Sequence, residues 1–398
     1  MRSWSATPGL GMEGLALREG PSPEPGPGEV LVAVRAVSLS YRELLVLQGR
    51  YALPVKPELV PVSDGAGEVV AAGPGVRGVQ VGDRVTATLF PTWQYGPFGS
   101  EHLAQLGGSL DGMLAELVVL PETALVPVPD HLSFAEAATL PCAGVTAWNA
   151  LAGVVAGDTV VTLGAGGVSL FAIQLAKIRG ARVIATTSSA DKARKLRDLG
   201  ADEVVDYRVQ PDWPARVREL TAGRGADRLV DVVGDLPPSL RATAIGGQVA
   251  LVGFVGGAPP ALDPRLLFQS GATIRTVAVG SRAQFLEMNR AIAVARLRPV
   301  VDRVFPFSEA VDAYRYYAAR QPLGKVVIEV TGSPLPHGED RTDALTGVRA
   351  PAAHPGGSGY PAGDRTSRGL PVEPNASDPS GAGTPDCGGP STASASTQ

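Results

Sequence analysis

The run Thr159-Val160-Val161-Thr162-Leu163 passes without a break into Gly164-Ala165-Gly166-Gly167-Val168-Ser169, and a helical pattern follows from Val168 to Arg179. A buried strand, a glycine turn and a helix in that order constrain the fold more than any other feature of the chain. Glycines let the backbone turn tightly and bring its N–H groups close to a pyrophosphate, while the positive end of the helix dipole stabilises that anion. Ser169 stands where a third glycine is usual and is small enough for close packing. A plain structural turn is the alternative reading of the same residues.

The texture that follows supports the nucleotide reading. Strand-like Arg182–Thr186, helix-like Ala190–Leu199, then Glu203–Val205, Trp213–Thr221, Arg228–Val233, Pro238–Ala244, Gln248–Val252 and Thr273–Val279 alternate. Alternation of this kind predicts βαβ units and a parallel, doubly wound sheet. At the end of the second strand the chain reads Ala185-Thr186-Thr187-Ser188-Ser189-Ala190-Asp191-Lys192. An NAD site usually carries a carboxylate there for the ribose hydroxyls. Spacing puts Thr187 at that position, and Thr187, Ser188 and Lys192 favour a 2′-phosphate, hence NADP(H). An ordinary solvated residue is the other reading of Lys192.

Residues 1–124 have a different texture. Short β-like runs, Glu29–Val37, Gly67–Ala72, Asp83–Thr88 and Leu114–Leu120, are broken by Gly and Pro, which suits a small β-barrel. Val301–Val330 returns to mixed texture and ends in an apolar strand, Lys325–Val330. Beyond it, 333–398 is rich in Gly and Pro, and its only Val, Leu, Ile, Met, Phe or Trp are Leu335, Leu345, Val348, Leu370 and Val372. Such a stretch buries too little apolar surface to offset its ordering entropy, so a disordered tail is expected.

Composition removes several function classes. The formal net charge of −4 leaves no basic surplus for a phosphate backbone, so nucleic acid is not an expected partner. Two cysteines, Cys142 and Cys387, exclude a disulfide framework. No signal peptide or spanning segment is visible, which predicts a soluble, cytoplasmic protein.

Several further motifs, in order, carry a resemblance. They are Pro25-Gly26-Pro27-Gly28-Glu29-Val30-Leu31-Val32, Ser38-Leu39-Ser40-Tyr41-Arg42-Glu43-Leu44-Leu45 and Val62-Ser63-Asp64-Gly65-Ala66-Gly67-Glu68-Val69-Val70, then Gly82-Asp83-Arg84-Val85, Ala138–Trp148 and Gly324-Lys325-Val326-Val327. Over about residues 1–332 the chain resembles the medium-chain dehydrogenase/reductase superfamily. It looks most like the quinone-oxidoreductase and zinc-independent alcohol-dehydrogenase-like branch. The resemblance implies a GroES-like barrel that binds substrate (1–124), a Rossmann domain (125–290) and a return segment that completes the barrel (291–332).

Zinc members of the superfamily hold a catalytic metal through Cys, His and a second Cys or similar ligand. Those positions fall on Ser40, Ser63 and Cys142. A serine hydroxyl is a poor zinc ligand and one thiolate does not hold the ion. Between Thr86 and Val118 there is no cysteine for a structural zinc lobe. No metal is expected. Asp64 is read as a structural or cleft residue, Glu68 as a strand residue, and Cys142 as a small buried hydrophobe rather than a reactive thiol.

The candidate catalytic residues are Ser40, Tyr41, Tyr51 and Asp64. Related quinone reductases generally carry Asn and Asp where this chain has Ser40 and Glu43. Tyr41 and Tyr51 are either hydrogen-bond donors to a substrate carbonyl or packed cleft aromatics. The resemblance places the nicotinamide near Cys142–Thr146 and the loops Val252-Gly253-Phe254 and Val279-Gly280-Ser281-Arg282. Tyr207 and Lys325 complete the expected cofactor-facing set.

The reading favoured at this level is an NADPH-dependent, zinc-free reductase of quinones, enones or other activated carbonyls, which need less electrophilic help than simple ketones. A zinc-free carbonyl or alcohol dehydrogenase is the second reading. A non-catalytic NADPH-binding sensor or an RNA-binding, crystallin-like protein is the third. The expected partner is a small-molecule substrate, with no membrane, and a homodimer is left open.

Overall fold

The computed structural model describes residues 1–257, 261–319 and 322–330. The expected tail, 333–398, lies outside the described residues. The chain begins with a hairpin, Arg2–Ala6 against Leu15–Glu19, that the sequence reading did not resolve. The Trp4 indole N–H anchors it to the far end of the chain by donating to the Phe307 carbonyl at 2.9 Å.

A seven-stranded sheet then forms in the order Val301–Pro306, Lys325–Glu329, Glu29–Leu39, Asp64–Ala72, Arg84–Ala87, Leu125–Pro127, with Leu117–Pro121 added to Glu29–Leu39. Leu125–Pro127 belongs to this sheet, just past the boundary expected at 124. The late strand Lys325–Glu329 runs antiparallel to Glu29–Leu39, with Val326 opposite Leu39. The strands Val301–Pro306 and Lys325–Glu329 therefore extend the first sheet. Val30, Val32, Val34, Val37, Leu39, Val69 and Ile328 fill its core.

The second sheet is parallel and six-stranded, in the order Glu203–Asp206, Arg182–Thr187, Thr159–Thr162, Ala226–Asp231, Thr243–Leu251, Thr273–Thr276. Helices cover both faces, so its central strands are buried on both sides and read as near-continuous apolar runs. The order reverses between Thr159–Thr162 and Ala226–Asp231. A ligand crevice forms at such a switch point, outside the carboxyl ends of the strands.

Several boundaries differ from the sequence expectation for identifiable reasons. The helix expected at Pro238–Ala244 runs Leu236–Ala242, because Pro237 and Pro238 sit in its first turn, where a missing N–H costs nothing. The strand expected from Gln248 starts at Thr243. Its pairing with Ala226–Asp231 jumps from Ala226–Thr243 to Arg228–Gln248, so the stretch Ala244–Gly247 faces Asp227 alone in an irregular ladder. The helix Arg282–Ala295 runs through the boundary expected at 290 and packs Phe285, Met288 and Ile292 into the core shared with the nucleotide-type sheet.

Candidate active site

The glycine loop sits at the switch point. Gly164 has φ +76°, a left-handed conformation that an L side chain rarely adopts. A Cβ added at Gly164 or Gly166 would meet nothing within 4 Å, so this side of the loop is open. The helix Gly167–Ile178 starts here with Gly166 as N-cap and no side-chain cap. Ser169 Oγ donates to the Leu163 carbonyl at 2.7 Å, pinning helix to strand. That is the close-packing role expected of a third glycine, performed by a hydroxyl. Ala165 accepts from the Gly324 N–H at 3.2 Å, and Val168 lies in the first turn of the helix.

The second strand ends at Thr187, one residue later than expected. Thr187 is buried and its Oγ1 has no hydrogen-bond partner, because the strand runs one residue further than expected and takes Thr187 into the sheet opposite Asp206. Ser188 and Lys192 are partly exposed, Tyr207 is exposed, and Ser189 caps the next helix by accepting from the Lys192 N–H. Tyr207 N–H donates to the Thr187 carbonyl at 2.9 Å, so these residues share one rim.

The loops expected near the nicotinamide divide. Thr146 is buried in the helix Val145–Ala150, which follows a π-helical turn Leu140–Gly144 containing Cys142. Gly253 is partly exposed and Phe254 is exposed. Gly280 packs so closely that a Cβ would lie 2.6 Å from Val145 Cγ1. Ser281 and Arg282 are spent on structure: Ser281 forms a capping box with Gln284, and Arg282 Nε donates to the Leu125 carbonyl at 2.9 Å. These bonds hold the Ser281 hydroxyl and Arg282 Nε at the start of the helix Arg282–Ala295. Val279 and Val62 both hold positive φ, +50° and +72°, although β-branched residues avoid that region. They directly precede Gly280 and Ser63, and such outliers cluster at functional sites.

Ser40, Ser63, Asp64 and Cys142 converge, and Lys325 joins them. Ser38 lies opposite Asp64 in the sheet, and Val326 lies opposite Leu39. That register brings Lys325 beside Ser40. The Lys325 ammonium, only 3% exposed, donates to the Leu39 carbonyl at 2.6 Å and to Ser40 Oγ at 2.7 Å, and lies 3.6 Å from Asp64 Oδ2. Its stem lies over the glycine loop, where a Cβ on Gly167 would approach Lys325 Cδ to 2.7 Å. Lys325 thus touches the cofactor loop while its charge faces the barrel residues.

Asp64 Oδ1 is 2.9 Å from Ser63 Oγ. Burial pushes the Asp64 carboxyl up to about 6, with the Lys325 charge opposing the shift. Cys142 is partly exposed; burial of its sulfur and the nearby Asp64 push the thiol up to about 12, which keeps it protonated and unreactive. Glu68 lies in the strand Asp64–Ala72, away from these groups, opposite Ala33.

The sequence reading missed the buried pair Arg42–Glu43, 2.9 Å apart. Glu43 Oε1 also lies 3.0 Å from Ser63 Oγ, and Arg42 donates to Gln105 Oε1 and the Gly107 carbonyl. The Arg42 guanidinium lies over the Tyr51 ring at 4.8 Å from its centre. Tyr51 is therefore fixed from one face, and burial raises its phenol. Tyr41 opens the helix Tyr41–Leu47 and packs on the barrel core. A signal for the pair existed: opposite charges at adjacent positions in a helix that is otherwise Tyr, Leu and Val.

Two family models match the chain: the alcohol dehydrogenase GroES-like domain over residues 26–130, and zinc-binding dehydrogenase over 167–294. A zinc-type alcohol dehydrogenase-like protein of Schizosaccharomyces pombe is 40% identical over 316 residues, covering 76% of this chain and 91% of that one. The chain belongs to the medium-chain dehydrogenase/reductase superfamily. A quinone oxidoreductase of Pseudomonas aeruginosa is 34% identical, covering 80% of this chain and 96% of that protein. Among solved structures, an NAD-dependent alcohol dehydrogenase matches with TM-score 0.75 and 38% identity, covering 83% of this chain and all (100%) of that one. A mycobacterial protein solved with NADPH matches with TM-score 0.71 and 31% identity, covering 83% and 100%. This member of the superfamily is an oxidoreductase with a GroES-like domain and a Rossmann sheet. No helix among its described residues is long and apolar enough to cross a membrane.

The zinc in the family description meets a poor fit in this member. Among the described residues no three His, Cys, Asp or Glu group so as to hold a metal ion. Two of the three ligand positions are neutral hydroxyls, and the cluster already contains the Lys325 ammonium. A second cation there would face like-charge repulsion in a poorly screened interior. A nicotinamide dinucleotide does fit: the open glycine loop and the uncapped start of a three-turn helix form the donor set a pyrophosphate needs.

Proposed function

We propose that the protein is an NADPH-dependent, zinc-independent oxidoreductase that transfers hydride to a quinone, an enone or another activated carbonyl. The observation that carries this reading is the Lys325 ammonium lodged between Ser40 and Asp64, where a metal-dependent relative would need its cation. The bound nicotinamide supplies the hydride. Gly164, Gly166 and the start of the helix Gly167–Ile178 would hold the pyrophosphate. For the 2′-phosphate, support comes from the missing carboxylate at Thr187 and from Lys192, Ser188 and Tyr207 on one rim. The mycobacterial relative solved with NADPH is consistent with this choice.

The chain itself then has to orient substrate and exclude water. Leu89, Phe90 and Trp93, with Leu53, Phe98, Cys142 and Val279, form an apolar cluster from the first domain to the nucleotide-side loop. Such a wall suits a flat apolar acceptor. Holding acceptor and nicotinamide in near-attack geometry lowers the barrier by several kcal/mol, about 7–11 at best. Quinones and enones ask for little more. The likeness to an NAD-dependent alcohol dehydrogenase favours a second reading, a zinc-free carbonyl reductase. Steady-state oxidation of NADPH and NADH against quinones, enals, enones and simple ketones separates the two. Turnover of simple ketones alone, or a preference for NADH, would overturn the first.

A further inference from the structure

Which group donates the proton is open in the reading above, and the surroundings of Ser40 answer it. Ser40 is the N-cap of the helix Tyr41–Leu47. A serine at that position ordinarily turns its oxygen onto an amide of the first helical turn. Ser40 makes no such bond. Its Oγ accepts from Lys325 Nζ at 2.7 Å instead. The Ser40 proton then faces away from the lysine; its oxygen acceptor within the protein, Asp64 Oδ2, is 3.4 Å away, long for an O–H···O bond, and the Cys142 sulfur beside it is a weak acceptor. A hydroxyl with a short charged donor behind it and a distant acceptor in front readily gives its proton to a better acceptor. The partly exposed Cys142 thiol lies against the same hydroxyl, which puts Ser40 beside the apolar cluster Phe90–Trp93–Phe98 that Cys142 also joins.

We propose that Ser40 is the proton donor of the reduction and that Lys325 is the positioning residue that holds and recharges it. The proposal rests on the hydride-transfer reading. With an enone or a carbonyl as acceptor, hydride forms the new C–H bond and an electron pair moves onto the substrate oxygen; an enone leaves as its enol, which returns to the ketone in water. That oxygen takes the Ser40 proton; the Oγ–H bond breaks and a substrate O–H bond forms. Ser40 Oγ takes a proton from Lys325 Nζ, leaving a neutral amine. The substrate gains one hydride and one proton, and the nicotinamide is oxidised by two electrons. Once product leaves, water returns a proton to Lys325 through Ser40.

The test compares Ser40→Ala, Ser40→Thr, Lys325→Met and the double variant Ser40→Ala/Lys325→Met with the wild type, using an enone acceptor and NADPH. Ser40→Ala is expected to lower kcat roughly 100-fold, with KM and the NADPH dissociation constant within twofold. Ser40→Thr, which keeps a hydroxyl, restores most of the rate. Lys325→Met gives a similar loss, and the double variant loses no more than either single one, as residues acting as a unit do. In the protein without ligands, a slowly exchanging ammonium signal of Lys325 in nitrogen-15 spectra should disappear in Ser40→Ala. A tenfold weaker NADPH affinity in Lys325→Met, with kcat intact in Ser40→Ala, would overturn the proposal and make Lys325 a cofactor ligand. If Lys325→Met does not fold, the Ser40→Ala and Ser40→Thr pair decides alone. Retained turnover in Ser40→Ala overturns this role only. A wild type that turns over no acceptor overturns the reduction reading as well.

Discussion

Replacing Asp64 by asparagine is expected to make the protein more stable at pH 8, although it removes half of a buried ion pair. Asp64 is fully buried, and burial moves its carboxyl from 3.8 to about 6 against the pull of Lys325. A carboxyl raised in this way is held protonated by the fold at pH values where the unfolded chain has released the proton. Its contribution to stability is therefore fully present below 3.8 and is lost as pH rises through about 6. A rise of that size corresponds to about 3 kcal/mol. Asparagine mimics the protonated form at every pH. Wild type and Asp64→Asn should thus be about equally stable at pH 4, and the variant more stable by about 3 kcal/mol at pH 8. Urea denaturation of both proteins from pH 4 to pH 8 measures the difference, with unchanged m-values as the control for a common unfolded state. The opposing expectation is that Lys325, left without its carboxylate, destabilises the variant by about 3–5 kcal/mol, as broken buried pairs often do. Lys325 keeps its bonds to the Leu39 carbonyl and to Ser40 Oγ, which is why the burial cost of Asp64 should dominate. A variant less stable than wild type at pH 8, or a difference flat with pH, would refute this reasoning.

Lys192→Ala should weaken NADPH binding about tenfold, from a charge-assisted phosphate contact worth roughly 1.5–3 kcal/mol and reduced by exposure, while NADH affinity stays within twofold. Fluorescence titration with both cofactors checks this, and equal losses would mean that Lys192 acts through the fold. Elemental analysis should find sub-stoichiometric zinc, and a chelator should leave turnover unchanged. One tightly held zinc per chain that turnover requires would contradict the reading of the Ser40, Ser63, Cys142 cluster.

The nucleotide half was legible because its signals are local. A strand buried on both faces is an apolar run, and a glycine turn must sit beside it in sequence. Boundaries slipped where tertiary pairing overrode the local pattern, as at Ala244–Gly247, which the irregular ladder absorbs without continuing the helix. Ser40 and Asp64 were legible from the motifs around them. The direction of a side chain was not. Thr187 occupies the expected position, yet its hydroxyl is buried, and only the register with Glu203–Asp206 fixes that. Lys325 stood out as part of Gly324-Lys325-Val326-Val327 and was assigned to the cofactor. Ser40 is 285 positions away in the chain, and only the pairing of Val326 with Leu39 brings the two together. Ligand positions read one at a time give two neutral hydroxyls and one thiol, a poor donor set for zinc. The sheet adds what the residue-by-residue comparison does not contain. The Lys325 ammonium lies in the same space, brought there from 285 positions away, and serine, too poor a donor to bind zinc, is well suited to accept from an ammonium. On the proposed reading the two serines and the lysine therefore act as one unit, with the Lys325 ammonium standing where a metal-dependent relative would need its cation.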